Sequence, residues 1–318
     1  MREFQLLQHI FARNSQLPES VTIPPGDDMG AVDFGGQSLL VAVDQVIDGV
    51  HVDSTTTPIE LIGRKAITRN LSDVAAMAAI PVGTLAAASL PRDLADDQQT
   101  RLADSMRETA SAFGCPLIGG DLSFTDGPLL IAVTILARPS SVPPVLRSGA
   151  KAGDTIFVTG SLGGAWGCGR GAAEHHLCFE PRIAVASKLV GQRKIPLSSM
   201  IDLSDGLAGD LGHICKQSDA SALVRVDQIP IRSTAQTRSI TSGWPAWWHA
   251  MTDGEDYELC FTVPSTHAQS VPTEIDGVRI TPIGVIRDTT TMTGVNLAFS
   301  NGQQSPFLDS GWEHASSG

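Results

Sequence analysis

The sequence predicts an α/β (α+β) protein with two domains, and three observations support that fold class. The chain has 318 residues, which is enough for two domains of ordinary size. In both halves, short apolar runs typical of strands alternate with segments of helical periodicity. A stretch rich in proline and serine, residues 137–144, divides the halves. We therefore predict an N-terminal domain at 1–138, a linker at 139–146 and a C-terminal domain at 147–318.

The N-terminal half contains three predicted helices and four predicted strands. The helices are expected at 3–13, 58–79 and 94–113, and the strands at 38–43, 81–90, 116–118 and 129–136. A repeat of apolar residues at helical spacing defines one face of the helix at 58–79: Ile67, Leu71, Val74 and Ala78. Asp73 lies on another face of the same helix, so the pattern predicts a helix that also presents polar residues.

The C-terminal half continues the alternation of strands and helices. Strands are expected at 154–159, 222–226, 259–263 and 280–286, and helices at 164–174, 182–191 and 207–218. The last helix follows the stretch Ile201-Asp202-Leu203-Ser204-Asp205-Gly206-Leu207, which holds two carboxylates and a hydroxyl. Capping is the simplest interpretation, because Asp and Ser side chains accept hydrogen bonds from free N–H groups at a helix start. The stretch Asn70-Leu71-Ser72-Asp73 repeats the pattern in the N-terminal half.

Composition and charge exclude several classes of function. The formal net charge is −12 and the chain has no basic run, so we expect neither nucleic acid nor a membrane as a partner. The five cysteines include no C-x-x-C pair, which favours reduced thiols over a disulfide framework or a zinc site. The N-terminus lacks the apolar core of a signal peptide, and no apolar run approaches the roughly 18 residues of a membrane span. A soluble, cytoplasmic protein is therefore expected.

Seven aspartates lie where predicted strands or helices begin or end: Asp27, Asp28, Asp44, Asp73, Asp121, Asp202 and Asp205. Turn formation or capping explains any one of them. Together they suggest a divalent cation, because hard cations take several oxygen ligands from separate elements. Carboxylates without Cys or His ligand pairs favour magnesium or manganese over zinc. Spacing alone leaves the metal-site and capping interpretations equally open.

Glycine-rich and charged segments are weaker candidates for a binding site. Gly119-Gly120-Asp121 and Gly160-Ser161-Leu162-Gly163-Gly164 are predicted turns whose N–H groups could cradle phosphate. Neither matches a Walker A loop or a Rossmann fingerprint, so both signals are weak. The segment at 147–154 carries two cationic side chains at the predicted domain junction. It is a candidate binding segment, and a solvated hinge is the alternative interpretation. The acidic turn at 252–258 could bind a cation or a cationic substrate. An ordinary surface loop explains the same residues equally well.

Seven ordered blocks of sequence carry more information together than any motif alone. They are Gly26-Asp27-Asp28, Asp44 with Gly49-Val50-His51, Gly63-Arg64-Lys65-Ala66 leading to Asn70-Leu71-Ser72-Asp73-Val74-Ala75-Ala76-Met77, Gly119-Gly120-Asp121, residues 147–154, residues 201–207, and Gly254-Glu255-Asp256-Tyr257-Glu258-Leu259. In these blocks the chain resembles the thiamine-monophosphate kinase family, whose superfamily also contains aminoimidazole ribonucleotide synthetase and selenophosphate synthetase. The resemblance runs from about Phe4 to Trp312.

The resemblance implies both a fold and a site. The implied fold has two domains and is like that of aminoimidazole ribonucleotide synthetase. Its N-terminal sheet forms the interface of a homodimer. ATP and magnesium ions are expected in a cleft between the two domains. Six residues match metal-binding positions of the family: Asp28, Asp44, Asp73, Asp121, Asp202 and Asp205. The remaining matches are Gly120, Asp121, Arg147 and Ser204 at ATP, and His51, Glu255 and Trp312 at thiamine monophosphate. Asp205 and Arg147 are expected to be the most critical of these residues.

The implied activity is ATP-dependent phosphorylation of thiamine monophosphate to thiamine diphosphate. A phosphate monoester is already largely a dianion at neutral pH, so the acceptor needs no general base, and the sequence offers no convincing one. The difficulty is repulsion between the dianion and the triphosphate, which several magnesium ions and Arg147 would reduce. Direct in-line transfer is the expected mechanism. Glu255 is expected to offset the thiazolium charge, and Trp312 to stack on a heterocycle.

Some residues depart from the family pattern, and other functions stay open. Asp253 adds a charge where the family has a glycine, and Ala78 replaces a glycine after Met77. Aminoimidazole ribonucleotide synthetase is the second enzyme hypothesis. A selenophosphate synthetase would need a reactive cysteine near its N-terminus, but the first cysteine here is Cys115. A non-catalytic nucleotide- or thiamine-binding protein is the alternative from another class, although binding alone would not require six matched aspartates.

Overall fold

A computed structural model describes residues 6, 9, 10, 17–166, 174–290 and 292–308 of the chain. Of the helix predicted at 3–13, Leu6, His9 and Ile10 are helical, and the remainder lies outside the described residues. No helix in these described ranges is both long enough and apolar enough to cross a membrane.

The first sheet has six strands, all from the N-terminal half. They are β1 (Val21–Ile23), β2 (Gly30–Phe34), β3 (Gln37–Ile47), β4 (Ile80–Pro91), β5 (Leu117–Thr125) and β6 (Leu130–Arg138). Their order is β1-β2-β3-β6-β4-β5, and only β4 and β5 are parallel neighbours. A parallel pair requires a long crossover connection. The connection between β4 and β5 contains the helix Asp96–Ala112.

Two helices, α1 (Ile59–Ala76) and α2 (Asp96–Ala112), cover one face of this sheet. The residues whose spacing predicted α1, such as Ile67 and Leu71, form a buried cluster with Val133 and Ile135 of β6. The opposite face of the sheet exposes apolar side chains, including Val43, which is 63% exposed. Within a single chain, the described residues therefore cover the first sheet on one side only.

The second sheet has eight strands from the C-terminal half. They are β7 (Thr155–Thr159), β8 (Ser199–Asp202), β9 (Ala220–Arg225), β10 (Leu259–Val263), β11 (Glu274–Ile275), β12 (Val278–Asp288), β13 (Gly294–Ala298) and β14 (Gln304–Pro306). The order is β14-β13-β9-β12-β7-β10-β8, with β11 paired to β12. All of these pairs are antiparallel except β13 with β9.

The described part of the C-terminal half contains five helices: α3 (His175–Cys178), α4 (Ile183–Ser187), α5 (Leu207–Gln217), α6 (Ser233–Ser242) and α7 (Ala246–Thr252). The chain continues from α4 through a π-helical turn at Lys188–Gln192. Leu207, Leu211 and Ile214, whose spacing predicted α5, are fully buried in the core of this sheet. Sequence patterning does not predict α6, because Ala235 is its only buried residue and it has no apolar stripe.

The helix α1 packs against both sheets. Its apolar face contacts the first sheet, whereas Ala75 and Ala76 near its end share a buried cluster with Phe157, Leu259 and Phe261 of the second sheet. Small side chains on this second face let the helix approach the strands closely. The polar residues of α1 are consequently held at the junction of the two halves.

Two predicted elements differ from the structure. The strand predicted at 116–118 extends over Leu117–Thr125, so Gly119-Gly120-Asp121 lies within β5 and the predicted phosphate-cradling turn is wrong. A Cβ at Gly120 would lie 1.9 Å from the carbonyl oxygen of Ala86, so glycine there permits β4 and β5 to pair. The helix predicted at 164–174 is absent at 164–166 and at 174, and the rest of it lies outside the described residues.

Candidate active site

Three carboxylates from separate elements meet at the junction of the two halves. Asp28 lies in the loop before β2, Asp73 in the last turn of α1, and Asp202 at the end of β8. One oxygen from each carboxylate lies within 4.8 Å of the other two. Asp28 and Asp202 are buried and Asp73 is half-buried. The structure thus brings together three of the six aspartates that the sequence predicted as metal ligands.

Arg147 joins this group from the start of the C-terminal half. Its Nε and Nη2 donate hydrogen bonds to Asp28 Oδ1 at 3.2 and 2.7 Å, and its Nη1 donates to the Gly26 carbonyl oxygen at 3.2 Å. Its backbone N–H is shared by the two carboxylate oxygens of Asp27, each at 3.2 Å. Burial and the neighbouring Asp28 raise the pKa of Asp27 to about 6. Arg147 therefore fixes the Gly26-Asp27-Asp28 loop against the second half.

The surroundings of the carboxylate group disfavour the ionised forms of Asp73 and Asp202. Burial and the charge of Asp44 raise the pKa of Asp73 well above its ordinary value. Burial and the charge of Asp28 raise the pKa of Asp202 to about 7, although Ser72 Oγ donates a hydrogen bond to it at 2.6 Å.

The Oδ2 atom of Asp28 shows what these carboxylates lack. It is buried and has no hydrogen-bond partner among the described residues. Most buried polar atoms in proteins do have a partner, and carboxylate oxygens are the ligands that magnesium prefers. A divalent cation would satisfy Asp28 Oδ2 and supply the missing positive charge to all three carboxylates. The residues present fit a magnesium site.

Asp44 and Asp121, two further predicted ligands, lie on opposite faces of the first sheet. Asp44 pairs across the strands with Val133, which in turn pairs with Ala86. Asp121 pairs with Ala87, the next residue along β4. Directly paired residues share a face and successive residues alternate, so Asp44 faces the helices and Asp121 the open side. In a single chain, Asp121 therefore points away from the side on which α1 and Asp73 lie.

The stretch that contains Ser204 and Asp205 is held by the acidic turn at 252–258. The Glu255 N–H donates to the Ser204 carbonyl oxygen at 2.6 Å, and the Asp205 N–H donates to Asp210 Oδ2 at 3.1 Å. Gly254 has a φ of 71°, and a Cβ there would lie 2.8 Å from the Ser204 carbonyl oxygen. The glycine is required for this close approach.

Glu255 forms a buried ion pair with Lys65 of α1. The Nζ of Lys65, which is fully buried, contacts the Glu255 carboxylate and lies 2.7 Å from His176 Nδ1. Burial alone would raise the pKa of Glu255, but Lys65 and His176 outweigh it and hold the pKa at about 2. Burial lowers the pKa of Lys65 to about 8, which still leaves the pair ionised at neutral pH. The charge of Glu255 is thus already balanced by the protein.

His51 and Trp312 complete the set of residues predicted at the substrate. The His51 carbonyl oxygen accepts a hydrogen bond from Lys65 Nζ at 2.8 Å, and its ring Nδ1 accepts one from the Ile47 N–H at 3.1 Å. His51 therefore lies beside the Lys65–Glu255 pair, as expected for two residues of one site. Trp312 lies outside the described residues.

Comparison with known proteins identifies the family of this chain. The family model "AIR synthase related protein, N-terminal domain" matches residues 26–138. A thiamine-monophosphate kinase from Rhodopirellula baltica is 35% identical over 292 residues, which cover 89% of this chain and 89% of that protein. The chain belongs to the thiamine-monophosphate kinase family.

Two solved structures confirm that this kinase has the fold of its family. Thiamine-monophosphate kinase from Stenotrophomonas maltophilia K279a is 30% identical, with a TM-score of 0.72 over 93% of this chain and 96% of that chain. A structure described as AaThiL complexed with AMPPCP and TMP is 24% identical, with a TM-score of 0.81 over 99% of this chain and 97% of that chain. The predicted α/β class and the aminoimidazole ribonucleotide synthetase-like fold are both confirmed.

Sequence reasoning assigned no role to three polar residues that lie beside the candidate site of this kinase. Lys65 pairs with Glu255, and the Nε of Arg69 lies 3.3 Å from Asp44 Oδ2. Asp210 is buried and accepts a hydrogen bond from the Asp205 N–H. A signal for the first two exists, because Lys65, Arg69 and Asp73 recur every four residues and so share one face of α1. No spacing signal distinguishes Asp210 from an ordinary residue of a helix first turn.

A cleft of about 1030 Å³ lies elsewhere, beside the second sheet. It is lined by Arg182 and Arg232, but these arginines already pair with buried Glu258 and Asp256. The balanced charges of the cleft contrast with the unbalanced carboxylates at Asp28, Asp73 and Asp202. We therefore place the candidate active site of this kinase at the carboxylate group.

Replacing Lys65 by methionine is expected to destabilise the protein by roughly 3–5 kcal/mol, because it leaves Glu255 buried without a counter-ion. Urea unfolding of Lys65→Met, Glu255→Gln and the double variant would measure this, and the double variant should lose less than the sum of the two single losses. Lys188→Met is the matched control, since Lys188 and Asp276 form an exposed pair and should cost no more than about 1 kcal/mol. Strictly additive losses would contradict the coupling of Lys65 to Glu255.

Proposed function

We propose that this kinase transfers the γ-phosphoryl group of ATP to thiamine monophosphate, giving thiamine diphosphate and ADP. The observation that carries the proposal is the Asp28, Asp73 and Asp202 group, which unites both halves of the chain and contains a buried oxygen without a partner. Two further facts support it: the relative from Rhodopirellula baltica is a thiamine-monophosphate kinase, and the AaThiL structure holds AMPPCP and TMP.

The carboxylates of Asp28, Asp73 and Asp202 are proposed to hold magnesium, with Asp44 and Asp205 as further ligands. Asp121 is proposed as a ligand across the proposed dimer, because within one chain it faces the open side of the first sheet. Magnesium supplies positive charge to the ATP phosphates when bound. Arg147 adds a fixed cation beside Asp28, at the boundary of the two halves. Gly120, Asp121, Arg147 and Ser204 are proposed to contact ATP, and His51, Glu255 and Trp312 to contact thiamine monophosphate.

The transfer is proposed to be direct and in line. An oxygen of the acceptor phosphate forms a bond to the γ-phosphorus of ATP while the bond from that phosphorus to the β–γ bridging oxygen breaks, and ADP leaves with the electron pair. The acceptor phosphate is already largely a dianion at pH 7, so no residue has to remove a proton from it. The chain contributes positioning and charge, through Arg147 and the carboxylates that hold the metal.

We also propose the domain division at 1–138, 139–146 and 147–318, and a homodimer formed through the first sheet. The division is supported by the strands of the two sheets, which lie within 21–138 and 155–306. The dimer is supported by the uncovered face of the first sheet, where Val43 and Leu85 are exposed at 63% and 37%. Exposed apolar patches on a folded domain commonly mark interaction surfaces.

Purified protein incubated with ATP, magnesium and thiamine monophosphate is expected to form thiamine diphosphate, measured by chromatography. Addition of EDTA should stop product formation, and excess magnesium should restore it, because carboxylates alone leave the phosphates unshielded. Thiamine and other phosphate monoesters serve as control acceptors and should react far more slowly. Absence of thiamine diphosphate at saturating substrates, or its formation in EDTA, would contradict the proposal.

A further inference from the structure

One face of α1 extends from the substrate residues to the carboxylate group. Lys65, Arg69 and Asp73 recur every four residues, so they form a line along the helix of roughly 12 Å. Lys65 pairs with Glu255 at one end, and Asp73 approaches Asp28 and Asp202 at the other. Arg69 lies between the two ends and has no part in the assignments made so far.

Arg69 is largely buried, and one of its donors has no hydrogen-bond partner among the described residues. Its side chain is 13% exposed, and its Nη1 donates a hydrogen bond to the Gln45 carbonyl oxygen at 2.8 Å. Its Nε lies 3.3 Å from Asp44 Oδ2, yet this buried atom has no hydrogen-bond partner of acceptable geometry among the described residues. A buried guanidinium N–H without an acceptor costs free energy that a ligand oxygen would recover.

Arg69 places a positive charge at the middle of this line. A guanidinium stays protonated at every physiological pH, so this charge is permanent. The residues proposed to bind the organic part of the substrate lie on one side of Arg69. The carboxylates proposed to bind metal and ATP lie on the other side.

We propose that Arg69 binds the phosphate of thiamine monophosphate, an inference that rests on the proposed function. If the thiamine part lies near His51 and Glu255, and ATP lies near the carboxylate group, the acceptor phosphate has to lie between them, at the level of Arg69. A guanidinium presents planar, paired donors that match phosphate oxygens. Arg69 would hold the dianion in place and reduce its repulsion from the triphosphate.

The alternative is that Arg69 merely stabilises the fold through Asp44, and comparing two ligands separates these roles. Thiamine monophosphate and thiamine differ only in the phosphate, so their affinities are measured by calorimetry with magnesium and without ATP. In Arg69→Gln we expect the affinity for thiamine monophosphate to fall roughly ten- to hundredfold, because charge-assisted hydrogen bonds are lost. The affinity for thiamine should change less than about twofold. Arg107→Gln, at an exposed arginine of α2, is the matched control and should change neither.

Two outcomes would overturn the role of Arg69: unchanged preference for thiamine monophosphate in Arg69→Gln, or an equal loss of both ligands. Arg69→Lys keeps the charge without the paired donors, so it should fold even if Arg69→Gln does not and should lose an intermediate part of the preference. A wild-type protein without any preference for thiamine monophosphate over thiamine would instead overturn the proposed function together with this inference. If the wild type prefers thiamine monophosphate over thiamine, the proposed function stands. The preference measured in Arg69→Gln then tests the role of Arg69 alone.

Discussion

Replacing Asp73 by asparagine is expected to lower the rate of phosphoryl transfer roughly a thousandfold while making the metal-free protein more stable. Metal–phosphate interactions supply several kcal/mol to such a reaction, and Asp73 is central to the carboxylate group that would hold the metal. Burial is the main cause of the raised pKa of Asp73, and repulsion from Asp44, Asp202 and Asp28 raises it further. A neutral amide removes that repulsion, so activity and stability should change in opposite directions.

Steady-state kinetics with ATP and thiamine monophosphate, together with thermal unfolding in EDTA, would measure both changes. Asp104→Asn is the matched control, because Asp104 lies on α2 with 56% of its side chain exposed and forms an ion pair with exposed Arg107. That control should alter stability by less than about 0.5 kcal/mol and leave turnover unchanged. Turnover of Asp73→Asn within tenfold of the wild type would remove Asp73 from the proposed metal site.

Replacing Arg147 by methionine is expected to cost roughly 3–5 kcal/mol of stability and most of the activity. The side chain of Asp28 is fully buried and depends on Arg147 for two hydrogen bonds, so the variant leaves an uncompensated buried carboxylate. Asp27 also loses its nearest cation, which strengthens the repulsion between the two neighbouring aspartates. The Gly26-Asp27-Asp28 loop should then lose its attachment to the second half.

The double variant Arg147→Met/Asp28→Asn distinguishes the structural contribution of Arg147 from its catalytic contribution. Urea unfolding should show that the second substitution recovers a large part of the lost stability, because no buried charge remains unpaired. Kinetic measurements should show no recovery of activity, since both a cation and a metal ligand are missing. Arg101→Met, at an exposed arginine that pairs with Glu60, is the control and should behave as the wild type. Recovery of activity in the double variant would refute the proposed role of Arg147 at ATP.

Sequence patterning predicted the elements that have a strong local signal. The helices α1 and α5 bury the residues whose spacing predicted them, because apolar periodicity directly reflects a buried face. The pattern failed where burial is slight, as in α6, and where glycines suggested a turn, as at Gly119-Gly120-Asp121. In that segment the glycine serves the close approach of two strands, and a single sequence does not distinguish this use of glycine from a turn.

Family membership and the residue types of a metal site could thus be deduced from ordered sequence blocks, but the arrangement of the site could not. Six aspartates matched as metal ligands look alike in sequence, yet the structure gathers Asp28, Asp73 and Asp202 and directs Asp121 to the other face of its sheet. The direction of a strand residue depends on the register of its neighbours, which periodicity does not specify.

The sequence by itself determined the α/β class, the family and the residue types available for catalysis, because these depend on local spacing and on ordered motifs. Only the tertiary structure decided which charges meet: Lys65 pairs with Glu255 across 190 positions, and Arg147 secures Asp28 across 119. Such contacts follow from the packing of the two halves against each other, and that packing brings together groups whose separation along the chain carries no signal. The physical reason is that helical and strand periodicities encode which face is buried, but not which distant face will cover it.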